Sequence, residues 1–293
     1  MIRFTRIRDL VALAGEKQVP ISAIVEQYEI ERSQRPAEEI HQTMLDNLQV
    51  MREAVASGLT GTEKSASGLV GGDANRLLNR MEQGCTLGGG AMNRAAAYAL
   101  AVNEINAAMG RIVACPTAGS CGIVPGVILA VAESLQCSDE QLVAALFTSA
   151  GIGVVIAENA SISGAKGGCQ AECGSAAAMA AGAVVEMAGG TPDQVSHALA
   201  LALKSTLGVV CDPVAGLVEV PCVKRNAFGA VQALLAADMA LAGITSVIPA
   251  DEVIDAMHQI GSLIPKSLRE TSEAGLAKTP TALQIEKRLH GKE

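Results

Sequence analysis

Residues 142–157 read LVAALFTSAGIGVVIA, sixteen consecutive positions without a charged side chain. A helix that spans a membrane needs about 20 such residues, and this stretch also carries Thr148, Ser149, Gly151 and Gly153. It therefore reads as a helix buried within a protein core. Outward from it, apolar helical patterns recur at roughly 91–109, 124–136, 139–157, 170–188, 192–206 and 224–242, and alternating strand patterns are nearly absent. Thr191-Pro192-Asp193 is a strong helix start, a hydroxyl N-cap followed by proline at the first helical position, where no N–H is needed. The expected fold is all-α, an Ala/Gly-rich helical bundle.

Composition points the same way. Hydrophobic residues make up 49% of the 293, yet aromatics only 2% and tryptophan is absent, so close packing of small side chains has to supply the core. Residues 1–60 are more polar, with amphipathic periodicity in 21–28 and 37–56, where Met44, Leu48, Met51 and Val55 recur at helical steps. The Gly-, Ser- and Thr-rich stretch 58–72 is the best candidate linker. Two regions are expected, a polar helical N-terminal region (1–60) and a catalytic region (61–293), either separate or continuous. Further amphipathic helices are expected near 251–264 and 280–290.

Charge excludes some partners. The 22 basic and 30 acidic residues give a net charge of −8, and no basic block or aromatic series is present to engage nucleic acid. The N-terminus mixes Arg3, Arg6, Arg8 and Asp9 with isolated apolar residues and so lacks the apolar core of a secretory signal. No membrane association and a cytoplasmic location are expected. Eight cysteines without short-range spacing favour free thiols or metal ligands over a disulfide framework.

Three Gly/Pro-punctuated loops interrupt the apolar helices: 115–122, 161–169 and 208–222. Polar loops set among such helices are costly to bury without partners, which points to a ligand or cofactor. Cys169 ends a glycine-rich loop and opens an Ala-rich helix, whose N-terminus favours thiolate. Cys211 precedes Asp212-Pro213 and Cys222 follows Pro221, so both sit on stiff non-helical backbone. Iron–sulfur clusters take thiolates, and loops or helix ends present them well, although buried inert thiols are the ordinary use of cysteine. Zinc fits poorly, since no Cys-x-x-Cys or ligand-like histidine spacing occurs.

The segments 114–126 (ACPTAGSCGIVPG), 159–181 (NASISGAKGGCQAECGSAAAMAA), 207–226 (LGVVCDPVAGLVEVPCVKRN) and 270–277 (ETSEAGLA), together with 101–109 (AVNEINAAM), resemble the α chain of iron–sulfur-dependent L-serine dehydratase. That resemblance runs over nearly the whole chain. It implies that Cys169, Cys211 and Cys222, spaced 42 and 11 residues apart, hold three irons of a [4Fe–4S] cluster and leave the fourth free as a Lewis acid. It further implies deamination of L-serine to pyruvate and ammonia, and a separate β chain that completes the enzyme.

Thr117, Gly119 and Ser120 lie just before a helix, where backbone N–H groups and hydroxyls can receive a carboxylate. Asn159, Ser161 and Ser163 are further substrate-facing candidates, with helix capping an equally simple role for Ser163. Cys173, one helical turn after Cys169, is an alternative ligand. No residue stands out as the catalytic base, and none of the four histidines has a distinguishing context. Competing readings are a pyridoxal-phosphate dehydratase using Lys166 as Schiff-base lysine, a cluster enzyme acting on cysteine or threonine, and a non-catalytic helical scaffold.

Overall fold

The computed structural model describes residues 2–291. Thirteen α-helices occur among them, and the only β-type pairing is an isolated bridge between Cys211 and Arg269. In chain order the helices are α1 (Ile7–Lys17), α2 (Ile21–Ser33), α3 (Ala37–Leu59), α4 (Asp73–Glu82), α5 (Gly90–Ala107), α6 (Ile123–Leu135), α7 (Asp139–Asn159), α8 (Gly164–Gly167), α9 (Ser175–Met187), α10 (Pro192–Lys204), α11 (Cys222–Leu241), α12 (Ala250–Leu263) and α13 (Pro280–His290). The fold is all-α, as expected from the sequence.

Two helices form the centre. In α5 every residue from Ala95 to Ile105 is buried, and in α9 every residue from Ser175 to Val185. Helices hydrophobic on all sides belong inside a core, and here each is walled by neighbours. Both α6 and α11 pack against α5 and α9 alike; α3 and α4 cover the outside of α5, and α7 and α10 flank α9. The outer shell is α2 on α7, α1 on α10, and α12 on α10 and α8.

Small residues set the helix separation. A Cβ at Gly122 would strike the carbonyl of Ala99, one at Gly126 would lie 2.7 Å from the Ala99 nitrogen, and one at Gly58 would strike the carbonyl of Ala101. Glycine one turn apart thus lets α6 lie on the α5 backbone, a contact in which a larger residue forces the helices apart.

The opening stretch lies in α7. At 21 residues this helix has the length and composition to cross a membrane, as does the segment Ala118–Leu135, but 61% and 67% of these spans are buried inside the protein. The Ser138 hydroxyl accepts from Gln141 N–H (3.4 Å) while the Gln141 carboxamide oxygen accepts from Ser138 N–H (2.8 Å), a complete capping box. Thr191 and Gln194 repeat it at 3.2 and 2.9 Å, with Pro192 at the first position as the sequence indicated.

Helix α1 starts with Asp9 accepting from Thr5 and Arg6 N–H (2.9 Å each), whereas α4 has no side-chain cap of its own. Distant carboxylates add to both. Asp251 on α12 accepts from Ile7 N–H (2.7 Å) and Arg8 N–H (3.3 Å), and Glu104 on α5 accepts from Gly72 N–H (3.1 Å) and Asp73 N–H (2.8 Å). Glu186 on α9 does the same for α2 through Ile21 N–H (2.8 Å) and Ser22 N–H (3.3 Å). Most buried side chains form one cluster that runs from Ile2 and Phe4 through α5 and α9 to Met257, and a smaller second cluster joins Val70, Ala74, Leu100, Ala101 and Val223. The helix expected over 170–188 is divided into a π-helical turn, Gln170–Gly174, and α9.

Candidate active site

The three loops singled out in the sequence meet at one end of the bundle. Gln170 ties the second to the third: its backbone N–H donates to Val209 O (3.0 Å), and its side-chain oxygen accepts from Gly208 N–H (2.8 Å). Asn226 on α11 ties the first to Cys222, donating from Nδ2 to Gly119 O (2.8 Å) and Cys222 O (3.0 Å) and accepting from Gly122 N–H (3.0 Å). The segment 268–276 closes over the third loop. Cys211 N–H donates to Leu268 O (2.9 Å), Glu270 N–H to Cys211 O (2.7 Å), and Leu276 N–H to Asp212 Oδ2 (2.8 Å). The peptide bonds Cys115–Pro116 and Val220–Pro221 are cis.

Cys169, Cys211 and Cys222 are 3%, 4% and 9% exposed. Cys169 immediately precedes the π-helical turn and Cys222 is the first residue of α11. The Cys211 thiol is pushed well above its usual range by burial and by Glu172, Cys169 and Cys222. Cys222 is pushed up to about 12 by burial and by Cys169. Cys169 is instead lowered, chiefly by a hydrogen bond from Cys173 and also by the charge of Arg225, against the effect of burial. Cys173 is correspondingly raised, first by that hydrogen bond and then by burial. Cys169, Cys211 and Cys222 thus each bear on the others' charge, and Cys173 on that of Cys169.

Among the described residues no three His, Cys, Asp or Glu side chains are grouped to hold a single metal ion. A polynuclear cluster asks for something different, because each thiolate binds its own iron. Buried thiols on loop and helix-end backbone, beside a partly buried guanidinium, are a donor set of the kind such clusters take. The residues present fit that group.

Beside the thiols is the first loop. Thr117 Oγ1 donates to Glu172 Oε1 (2.7 Å) and lies 3.1 Å from Ser120 Oγ. A Cβ on Gly119 would come 3.1 Å from Glu172 Oε1, and one on Gly164 only 2.6 Å from Oε2, so the Glu172 carboxylate sits in a slot that two glycines keep open. Its Oε2 is 4.0 Å from Cys211 Sγ. Burial raises the Glu172 carboxyl above its usual range, the Thr117 hydrogen bond opposes this, and Glu270 adds to it. Sequence reasoning passed over Glu172. Its one visible signal was an acidic residue at the start of an otherwise apolar helical pattern.

The remaining predicted residues are placed elsewhere. Asn159 donates from Nδ2 to Thr5 O (2.6 Å) and Val155 O (2.8 Å), so its amide fastens the end of α7 to the N-terminal segment. Ser161 Oγ accepts from Ser163 N–H (3.1 Å), and Ser163 precedes α8 without a side-chain cap. Ser161 and Lys166 line a separate depression with His258 and Ser262, and the Lys166 side chain is exposed. Of the other cysteines, Cys115 and Cys121 are buried beside the first loop, where Cys115 Sγ lies 3.4 Å from Cys121 O; Cys85 is exposed and Cys137 half-buried.

Fold and site together describe an all-α protein in which clustered buried thiols share one end of the bundle with a loop that holds a carboxylate. The family model of the serine dehydratase alpha chain matches residues 16–277, and the chain belongs to that family. It is 55% identical over 288 residues to the Bacillus subtilis protein named "Probable L-serine dehydratase, alpha chain", covering 98% of this chain and 96% of that one. With the L-serine dehydratase alpha chain of Peptoniphilus asaccharolyticus it shares 41% identity over 278 residues, 95% of each chain. The L-serine dehydratase of Streptomyces coelicolor is 41% identical over 276 residues, 92% of this chain but 59% of that longer protein.

Proposed function

We propose that this chain is the α subunit of a cytoplasmic L-serine dehydratase that holds a [4Fe–4S] cluster on Cys169, Cys211 and Cys222 and converts L-serine to pyruvate and ammonia. Family membership supports the reaction, and the meeting of these three thiols from distant segments supports the cofactor. The serine hydroxyl is a poor leaving group, and a cluster with one iron free of protein thiolate would supply the Lewis acid that elimination requires.

The chain's own residues account for substrate binding. Thr117, Gly119 and Ser120 receive the substrate carboxylate. The observation that carries this assignment is that Thr117 already donates to a carboxylate oxygen, that of Glu172, in a slot bordered by Gly119 beside Cys211. Asn103 and Asn226 brace the same loop through Gly119 O at 3.4 and 2.8 Å, so the donors are held in place before substrate arrives. Ser163, adjacent to the Gly164 wall of the slot, and Ser161, three residues before it, position that wall, and Asn159 anchors the segment from behind. The alpha-chain names of the relatives, and the greater length of the Streptomyces protein, support a β chain as partner.

The test is anaerobic purification of the chain with its co-expressed partner, followed by iron and acid-labile sulfide analysis and a pyruvate assay with L-serine, L-cysteine and L-threonine. Iron and sulfide in stoichiometry, with turnover preferring serine, is the expected result. Serine turnover in protein free of iron, or a borohydride-sensitive aldimine band dependent on Lys166, would overturn the assignment.

A further inference from the structure

Arg225 holds the segment of one proposed ligand, Cys211, and shares the first turn of α11 with another, Cys222. Its guanidinium donates from one terminal nitrogen to Val210 O (2.8 Å) and from the other to Asp212 Oδ1 (3.0 Å), gripping the residues on both sides of Cys211. Asp212 is itself 5% exposed in its side chain and is held by Leu276 N–H, so the grip extends to the closing segment. Cys222 lies three residues earlier on the first turn of α11, on the same helical face. The third thiol, Cys169, lies near enough to the same guanidinium to feel its charge.

Even a half-buried arginine is costly unless its charge is met. Asp212 meets part of it, but Asp212 also serves Leu276. Thiolates gathered at one point are likewise unstable without a cation, and the nearby carboxylate of Glu172 adds to the negative charge. A planar fork that both clamps a loop and contributes fixed positive charge is a task lysine cannot reproduce.

Resting on the [4Fe–4S] reading above, we infer that Arg225 is a positioning residue of the cluster, registering the Cys211 loop against Cys169 and Cys222 and offsetting the negative charge that the cluster and its thiolates bring.

The experiment compares full-length wild type, R225K and R225M, each reconstituted anaerobically with ferrous iron and sulfide. Iron loss to a chelator and the midpoint potential of the cluster are then measured. Outer partners of metal ligands are worth about 10–100-fold in metal retention, so R225M should release iron at least about tenfold faster than wild type. R225K should fall between them, because it keeps the charge and loses the fork. The potential should become more negative in R225M than in R225K, an ordering that a purely structural role would not produce. Should R225M fail to fold by circular dichroism, R225K and R225Q carry the same comparison. Wild-type iron retention and potential in the variants would overturn the inference alone. A wild-type chain that takes up no cluster would overturn the proposed cofactor, and this inference with it.

Discussion

The outer shell and the thiol end of this bundle handle buried charge in opposite ways. In the shell, Asp251, Glu186 and Glu104 each reach across from another helix and accept two backbone N–H groups at the start of α1, α2 and α4. Carboxylate and helix end satisfy each other, since the first N–H groups of a helix lack partners and its dipole favours negative charge. At the thiol end, Glu172 has one hydroxyl donor, and Cys211 and Cys222 are pushed toward their protonated forms. Groups that bind each other fully make a scaffold, and groups left under-partnered are ready to bind something else.

The comparison breaks most visibly if the thiol end turns out to be scaffold. Replacing Cys169, Cys211 or Cys222 by alanine should abolish iron retention and lower serine turnover by at least about 100-fold, more than loss of an outer partner would. Thermal stability of the cluster-free chain should fall only modestly, because alanine removes a single buried sulfur atom. A large drop in Tm with iron retained would place these cysteines with the packing residues instead. Lys166→Ala should leave both quantities near wild type, as its side chain is exposed.

An intermediate effect is expected at Glu172. E172A removes the acceptor that Thr117 engages and opens the slot beside Gly119 and Gly164. If the loop receives the substrate carboxylate, the substitution should change KM for serine by about tenfold, equivalent to about 1.4 kcal/mol, which is within the range of one charge-assisted hydrogen bond. An unchanged KM with lowered kcat would move Glu172 away from carboxylate binding and toward the chemical step.

Carboxylates that start the surrounding helices should respond in stability alone. Glu186 accepts from Ile21 and Ser22 N–H and from the Thr148 hydroxyl (2.8 Å). E186A leaves these donors without their acceptor and should cost about 2 kcal/mol, a fall in Tm of several degrees for a chain of this size. Iron retention should be unaffected. Loss of cluster in E186A at temperatures where the fold persists would show that shell and site are coupled.

Legibility in the sequence followed the same division. Helices α6, α7, α9, α10 and α11 were readable because their signals are local: an unbroken apolar run in 142–157, or the Thr191-Pro192 start. Helix α4 was not, because Glu104, which caps it, lies 31 residues away in the chain; α1 was passed over although Asp9, its local cap, stands in its first turn. At the site, the thiols and Thr117 stood out as unusual residues in Gly/Pro-rich loops. Glu172 and Arg225 did not, since what distinguishes each is the company it keeps after folding. Asn159 is the reverse case: it belongs to a conspicuous motif, and what folding adds is that its amide fastens the end of α7 to Thr5 O.

The smallest expected effect lies at Glu104, and it tests whether shell carboxylates are as well satisfied as their geometry indicates. Burial, the largest influence, holds its carboxyl above the usual value of 4.5, while the N–H groups of Gly72 and Asp73 pull the other way and Asp73's own charge adds to the rise. The folded state therefore binds this proton more tightly than the unfolded state does. Glu104 contributes stability that is complete below its unfolded pKa and is lost as pH rises through the folded value. Glutamine keeps an acceptor for the α4 start and cannot ionise. The Tm of E104Q relative to wild type should accordingly move in favour of glutamine as pH rises above the usual carboxylate range. A shift toward glutamate over that rise in pH would mean that the N-terminus of α4 outweighs burial, and that this cap works as a fully ionised one.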